Sequence, residues 1–266
     1  MNTENTVSER VETINAIGSG QIIQLEPGVI CEALVGKHNG AVNLFTAIVT
    51  FDEGVALSAH SHPHAESITL LQGNACIDVE DRRYFMHPKD NITIPAGYSH
   101  VVKNISSEEK AVFHIAMPVS VPQRTPVEKK YATYTDIPHD FNGTTGAEYI
   151  VRYQIAKQYN AGSATAFTDF FNEEMIPGVG MSGGFGLFYQ GGRLPAHFHD
   201  FDESICIVTG EAICVTRRNR YTLSNMATAL QPQGLPHYFI NTTPEPMTMI
   251  WVYAGAMPIR TEVQDF

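Results

Sequence analysis

One pattern of residues is written twice in this chain of 266 residues, at a fixed offset of 137 positions. His60 and His62 recur as His197 and His199, Glu66 as Glu203, and His100 as His237. The intervening residues keep step: Gly54 with Gly191, Gly73 with Gly210, Arg83-Tyr84 with Arg220-Tyr221, and Pro95, Gly97 and Asn104 with Pro232, Gly234 and Asn241. No insertion or deletion falls between Gly54 and Asn104. A repeat this long exceeds the usual solenoid unit, so it reads as duplication of a whole domain.

The local texture is β. Side chains alternate across a strand, so His60-Ser-His62 and His197-Phe-His199 each aim two imidazoles from one strand face. Short β-branched runs such as Ser67–Leu71, Asn91–Pro95 and Ala212–Thr216 end at Gly, Asn, Pro or charged turns. Fifteen prolines and 21 glycines suit turns better than helix interiors. The expected fold is all-β, two tandem barrels. Three prolines in Pro118–Pro126 block continued sheet pairing and set the expected division into 1–125 and 126–266. Ala147–Tyr153 is expected to be an entry strand of the second barrel, and Asp169–Glu174 a short helical turn.

Each copy offers three imidazoles and one carboxylate: His60, His62, Glu66 and His100, then His197, His199, Glu203 and His237. Glu66 and Glu203 reach back after a strand turn, and the last histidine arrives behind a Pro-x-Gly turn. This donor set suits Mn, Fe, Ni, Cu or Zn, whereas calcium wants more oxygens. Four protein ligands around an octahedral ion leave two open positions, the mark of a catalytic site. The plainer reading, ordinary barrel histidines, does not account for eight ligand residues kept in both copies. A structural or vestigial metal in one barrel is the stronger competitor.

These residues resemble the cupin motifs position for position. Gly54-x5-His60-x-His62-x3-Glu66-x6-Gly73 and Gly191-x5-His197-x-His199-x3-Glu203-x6-Gly210 resemble the first motif. Pro95-x-Gly97-x2-His100-x3-Asn104 and Pro232-x-Gly234-x2-His237-x3-Asn241 resemble the second. The glycine that usually opens the second motif is replaced by Lys89 and Met226, a change to a turn and not to a ligand. The resemblance implies a bicupin of two jelly-roll barrels holding two divalent transition-metal ions, Fe or Mn before Ni, Zn or Cu. It also implies a small-molecule substrate, a possible homo-oligomer, and, by likeness to quercetinase-like dioxygenases, a non-haem oxidoreductase acting on a small oxygenated or aromatic substrate. There Glu66 or Glu203 would accept a substrate proton. Redox-free isomerisation, decarboxylation or elimination on a small hydroxy- or keto-acid is the alternative. A non-catalytic binding protein is the third reading.

Other residues are weighed beside their plainer roles. His64, matched by Phe201, has the parity of the ligand strand and is a candidate proton shuttle, against an exposed loop histidine. His114 aligns with Trp251 at the same offset; if both face inward, the first pocket is polar and the second aromatic. Arg193 is a candidate carboxylate anchor, against a surface salt bridge. Asn104 and Asn241 are expected to satisfy backbone groups.

A net charge of −11 without a basic cluster argues against nucleic acid and against a basic membrane-surface helix. No apolar stretch approaches the roughly 20 residues of a spanning helix. Cys31, Cys76, Cys206 and Cys214 form no CxxC pair, three lie in apolar runs, and all are read as reduced. The polar segment Met1–Arg10 has no apolar core, so no signal peptide is expected and cytoplasmic residence is the default.

Overall fold

Period-two alternation fixes which face of each strand is apolar, and here that face closes on itself twice. The computed structural model describes residues 10–128 and 131–266, so most of the segment judged for a signal peptide lies outside the described residues. Among the described residues there is no α-helix, only two three-residue 3-10 turns, and no helix is long and apolar enough to cross a membrane.

The first barrel sandwiches two sheets. An eight-stranded sheet carries Asn91–Ile94, Glu66–Gln72, Ala111–Met117, Phe45–Phe51, Val29–Val35 and Gln21–Glu26 in that order. A six-stranded sheet carries Ala56–Ser61, His100–Asn104, Ala75–Val79 and Arg82–Met86. Ile68, Leu70, Ile77, Tyr84, Ile92 and Phe113 fill the space between them. The second barrel is one eleven-stranded sheet that includes Ser182–Arg193, Glu203–Thr209, Thr228–Gln231, His237–Ile240 and Met247–Tyr253. Ile205, Ile207, Phe239, Met249 and Trp251 form its interior.

The outer faces of the two barrels pack on each other through Leu44, Ala116, Phe170, Phe171, Phe185, Ile250 and Val252. Each buried phenylalanine there contributes roughly 1.5–3 kcal/mol. A Thr46–Ser204 hydroxyl contact of 2.8 Å crosses the same surface.

Each barrel is also clasped by chain from the other half. Thr13–Asn15 pairs with Thr228–Gln231, and Arg10 forks onto Asp202 with two bonds of 2.7 Å. In return, Tyr149–Val151 pairs with Asn91–Ile94 of the first barrel, which corrects its expected place as an entry strand of the second. Glu148 behind it accepts from Arg82 and Tyr84, and Arg152 from the same segment meets buried Asp90 at 3.1 Å.

Two further expectations change. Asp169-Phe170-Phe171 ends the long strand Ser163–Phe171, and the turn comes after it, where the Asn172 side chain accepts from the backbone of Glu174 and Met175. β-favouring Phe170 and Phe171, both fully buried between the barrels, outweigh any helical tendency there. The proline-rich boundary does pair: Thr125–Pro126 lies antiparallel to His60 and Ser61. It forms an edge strand, where a proline's missing N–H costs little.

Lys89 and Met226 keep the turn that the missing glycines would make. Their φ angles are 78° and 62°, left-handed for both, and their N–H groups donate to Leu70 and Ile207 at 2.7 Å.

Candidate metal centres

The ligand strands bring each predicted set together in the barrel interior. His60 and His62 leave the end of Ala56–Ser61, Glu66 opens the next strand, and His100 opens the strand hydrogen-bonded to Ala56–Ser61, facing His60. The ligating atoms of His60, His62, Glu66 and His100 lie within 4.8 Å of one another and all four residues are buried; the same holds for His197, His199, Glu203 and His237.

The backbone sets the tautomers. Nδ1 of His60, His62 and His100 donates to the carbonyls of Ser58, Gln123 and Tyr98 at 2.7, 2.5 and 3.2 Å. Nδ1 of His197, His199 and His237 donates to Pro195, Ile259 and Leu235 at 2.7, 2.7 and 2.9 Å. A carbonyl only accepts, so each proton sits on Nδ1 and each Nε2 lone pair points inward. Nε2 of His62, His100, His197, His199 and His237, with Oε2 of Glu66 and Glu203, is buried without a hydrogen-bond partner. Converging unpaired acceptors repel one another and each costs roughly 1–3 kcal/mol, unless a cation sits among them. The donors therefore fit a divalent transition-metal ion in each barrel.

The electrostatics agree. Burial pushes His60 and His197 down to about 3, helped by His100 and His237, so both imidazoles are neutral ligands. Burial would raise Glu66 and Glu203, but attraction to positive charge, that of the neighbouring imidazoles when they are protonated, outweighs it and holds both carboxyls below the usual range.

The surroundings of the two centres differ. His60, His62 and Glu66 open onto a cavity of about 520 Å³ walled by Ile23, Leu25, Phe45, Leu57, Ile115 and Met117, with Lys37 and Arg124 at its edge. In the second barrel Tyr253 lies 4.2 Å and Phe201 5.3 Å from the His199 ring, and Trp251 lies 4.8 Å from Tyr253. Trp251 packs against Gly184, where a Cβ would meet the indole at 2.9 Å.

Register explains the difference. Glu66 sits level with the end of Ala111–Met117, since Ser67 pairs with Ala116, while Glu203 pairs with Tyr253. Met117 therefore corresponds to Tyr253 and Ile115 to Trp251. The loop after Asn241 is one residue shorter than that after Asn104, so the offset falls to 136 and every side chain in the next strand changes face relative to the offset of 137. His114 and Trp251 do not share a face, which corrects their alignment. Trp251 enters the second barrel, whereas His114 joins the buried surface between barrels, with Nε2 unpartnered.

The remaining candidates fall as follows. His64 stacks on His62 at 5.3 Å, accepts from the Gln123 N–H at 3.3 Å, and is not among the residues walling the cavity. Arg193 bridges to Asp265 at 2.8 Å and covers Tyr238. Asn104 and Asn241 bond backbone groups as expected. The four cysteines are buried and unpaired. His87, Asp90 and His139 also cluster, but the Asp90 oxygens are taken by Arg152 and by the N–H groups of His87 and Tyr153.

Sequence reasoning missed a third repeated block. Pro122-x-Arg124-Thr125-x-Val127 recurs as Pro258-x-Arg260-Thr261-x-Val263 at offset 136. Thr125–Pro126 pairs with the strand of His60, and Thr261–Glu262 with that of His197. Each block supplies the carbonyl that orients His62 or His199. A search allowing a one-residue slip finds it.

A pair of antiparallel barrels, each with three histidines and a glutamate converging inside, defines a two-site metal-binding β-barrel protein. The Cupin domain family matches residues 47–117 and 186–253, more than half of the chain, and the chain belongs to that family as a two-barrel cupin. No curated protein matches its sequence. Among solved structures, Lactobacillus farciminis oxalate decarboxylase in a formate complex superposes with a TM-score of 0.73 at 15% identity, covering 94% of this chain and 88% of that one. A mutant of Bacillus subtilis oxalate decarboxylase gives 0.73 at 14% identity, covering 94% and 79%. Bacillus subtilis oxalate decarboxylase at pH 4.6 gives 0.70 at 12% identity, covering 94% and 78%.

Proposed function

We propose that the protein is a metal-dependent decarboxylase of a small keto acid, working without net redox change, with its chemistry in the first barrel. The observation that carries this is the joining of His60, His62 and Glu66 to an apolar cavity with a cationic edge. In the second barrel three rings, Phe201, Trp251 and Tyr253, pack together beside His199. The solved structures named above are oxalate decarboxylases, which supports carbon–carbon cleavage over the dioxygenase expectation.

A divalent ion, Fe or Mn by preference, supplies Lewis-acid polarisation of the substrate's carbonyl oxygen when bound. In a 3-oxo acid the bond to the carboxylate then breaks, CO2 leaves, the electron pair moves toward the carbonyl, and a proton from water returns to carbon. Glu66, ionised and at the cavity wall, is assigned to relay that proton. Glu203 is assigned a ligand role alone. His64 is assigned to positioning, since it braces His62 and Gln123. The apolar wall keeps water from the cleaved carbon.

We place the two functional units at 1–125 and 126–266; limited proteolysis should cut near that boundary and leave fragments held together by the clasps. The reaction is tested by incubating Mn2+- and Fe2+-loaded protein with 3-oxo acids while following CO2 and O2. CO2 release without O2 uptake supports the reading, and stoichiometric O2 uptake overturns it.

A further inference from the structure

We propose that Arg124 anchors the substrate carboxylate in the first barrel and that the acid it selects carries an apolar body. This rests on the first barrel being the reacting one.

Arg124 lines the same cavity as His60, His62 and Glu66. Its Nη1 is buried and has no hydrogen-bond partner. Nη1 forms an ion pair with Oε1 of Glu26 at 3.3 Å that is not aligned as a hydrogen bond, and both Glu26 oxygens also accept from Ser58, at 2.9 Å from its hydroxyl. Nη2 reaches only the Leu25 carbonyl, at 3.5 Å. A guanidinium at a cavity wall whose buried Nη1 makes no hydrogen bond is matched by a carboxylate, which takes two parallel N–H bonds.

The duplicated block shows what a satisfied version looks like. Arg260, the counterpart of Arg124, donates to the Ala161 carbonyl at 3.0 Å and to Glu262 at 3.3 Å. Glu262 occupies the position of Pro126, so the acid beside Arg260 comes from its own block, while the acid beside Arg124 is Glu26 of another strand, an ion pair of the same 3.3 Å that is not aligned as a hydrogen bond. The arginine without a hydrogen-bonded acid is the one that lines the cavity of His60, His62 and Glu66.

The block also ties the anchor to the ligands. Gln123, adjacent to Arg124, holds Nδ1 of His62 through its carbonyl, and Val127 donates to Ala59 at 3.0 Å. The guanidinium is thereby held in register with the metal ligands. Beyond the carboxylate the wall is mostly apolar, through Ile23, Leu25, Phe45, Leu57, Ile115 and Met117, with Gln21, Lys37, His38 and Ser120 its polar members. A diacid as small as oxalate leaves that wall unused, whereas a monocarboxylate with a chain of several carbons covers it.

Isothermal titration of the Mn2+-loaded protein with hexanoate, hexanamide and oxalate tests this. Hexanoate should bind about 10-fold or more tightly than hexanamide. Arg124→Gln should weaken hexanoate by about 10–100-fold and erase that preference, Arg124→Lys should keep part of it, and Arg260→Gln should stay within about twofold. Metal content and melting temperature of each variant confirm its fold. Absence of hexanoate binding, an Arg124→Gln affinity within about twofold of the parent, or oxalate binding more tightly than hexanoate overturns the proposal. CO2 release separates it from the reaction. Turnover of a 3-oxo acid with unchanged KM in Arg124→Gln removes the anchor and leaves decarboxylation standing. Arg124-dependent binding without turnover removes decarboxylation and leaves the anchor.

Discussion

Replacing Asn104 with alanine should lower stability without removing metal. Asn104 is fully buried, and its amide donates to the Asp52 carbonyl at 3.0 Å and the Glu109 carbonyl at 2.8 Å, while its oxygen accepts from the Ser106 N–H at 2.9 Å. Alanine leaves two carbonyls and one N–H without partners, each costing roughly 1–3 kcal/mol where water is excluded. Water reaches the exposed loop around Ser106 and Glu109, so the net loss is about 2–4 kcal/mol, or a fall in Tm of roughly 5–12 °C for a protein of this size. Asn241→Ala should cost at least as much, because its bond to the Phe188 carbonyl is wholly buried. Thermal melts followed by circular dichroism, with metal analysis on the same samples, read both quantities. Loss of metal at unchanged Tm, or a Tm shift below about 2 °C, would refute the assignment of these amides to the backbone.

Three other outcomes are expected. Burial lowers the His114 pKa to about 3, so the folded protein keeps it neutral while the unfolded chain protonates it below about 6.5; stability is full above that value and is lost as pH falls toward 3. At about 1.4 kcal/mol per pH unit, His114→Phe should shrink the urea-measured stability difference between pH 6.5 and pH 5 by about 2 kcal/mol, and an unchanged difference would contradict its burial. Chelation should remove two ions per chain and lower Tm, with two equivalents of metal restoring it; restoration by one equivalent would count against the second site. Lys89→Gly should relieve the left-handed strain at φ 78° and raise stability by about 1 kcal/mol, less whatever its contact with Tyr153 contributes.

The ligand sets were legible because imidazole and carboxylate spacing is chemistry that drift does not easily preserve by chance, and because the offset of 137 is unbroken from Gly54 to Asn104. The all-β class was legible for a similar reason: alternation and turn residues are local signals. What lay beyond was non-local. A single residue lost between Asn241 and Met247 turned Trp251 inward while His114 faces outward, and no composition signal announces such a slip. The clasps of Thr13–Asn15 and Tyr149–Val151 each fill a sheet edge in the opposite half, a pairing that short strands do not encode on their own. Arg124 was hidden because its block repeats at 136 rather than 137, inside a proline-rich stretch read as a linker.

Under the proposed function, two matched metal centres serve one reacting barrel. Glu66→Gln and Glu203→Gln, each assayed for CO2 release from the 3-oxo acid found to be turned over and for metal per chain, test it most directly. Glu66→Gln should lower kcat by about 100-fold or more, while Glu203→Gln should keep most of the activity and lose stability instead. Equal losses of about half in the two variants would show that the barrels react alike, and loss confined to Glu203→Gln would place the chemistry in the wrong barrel.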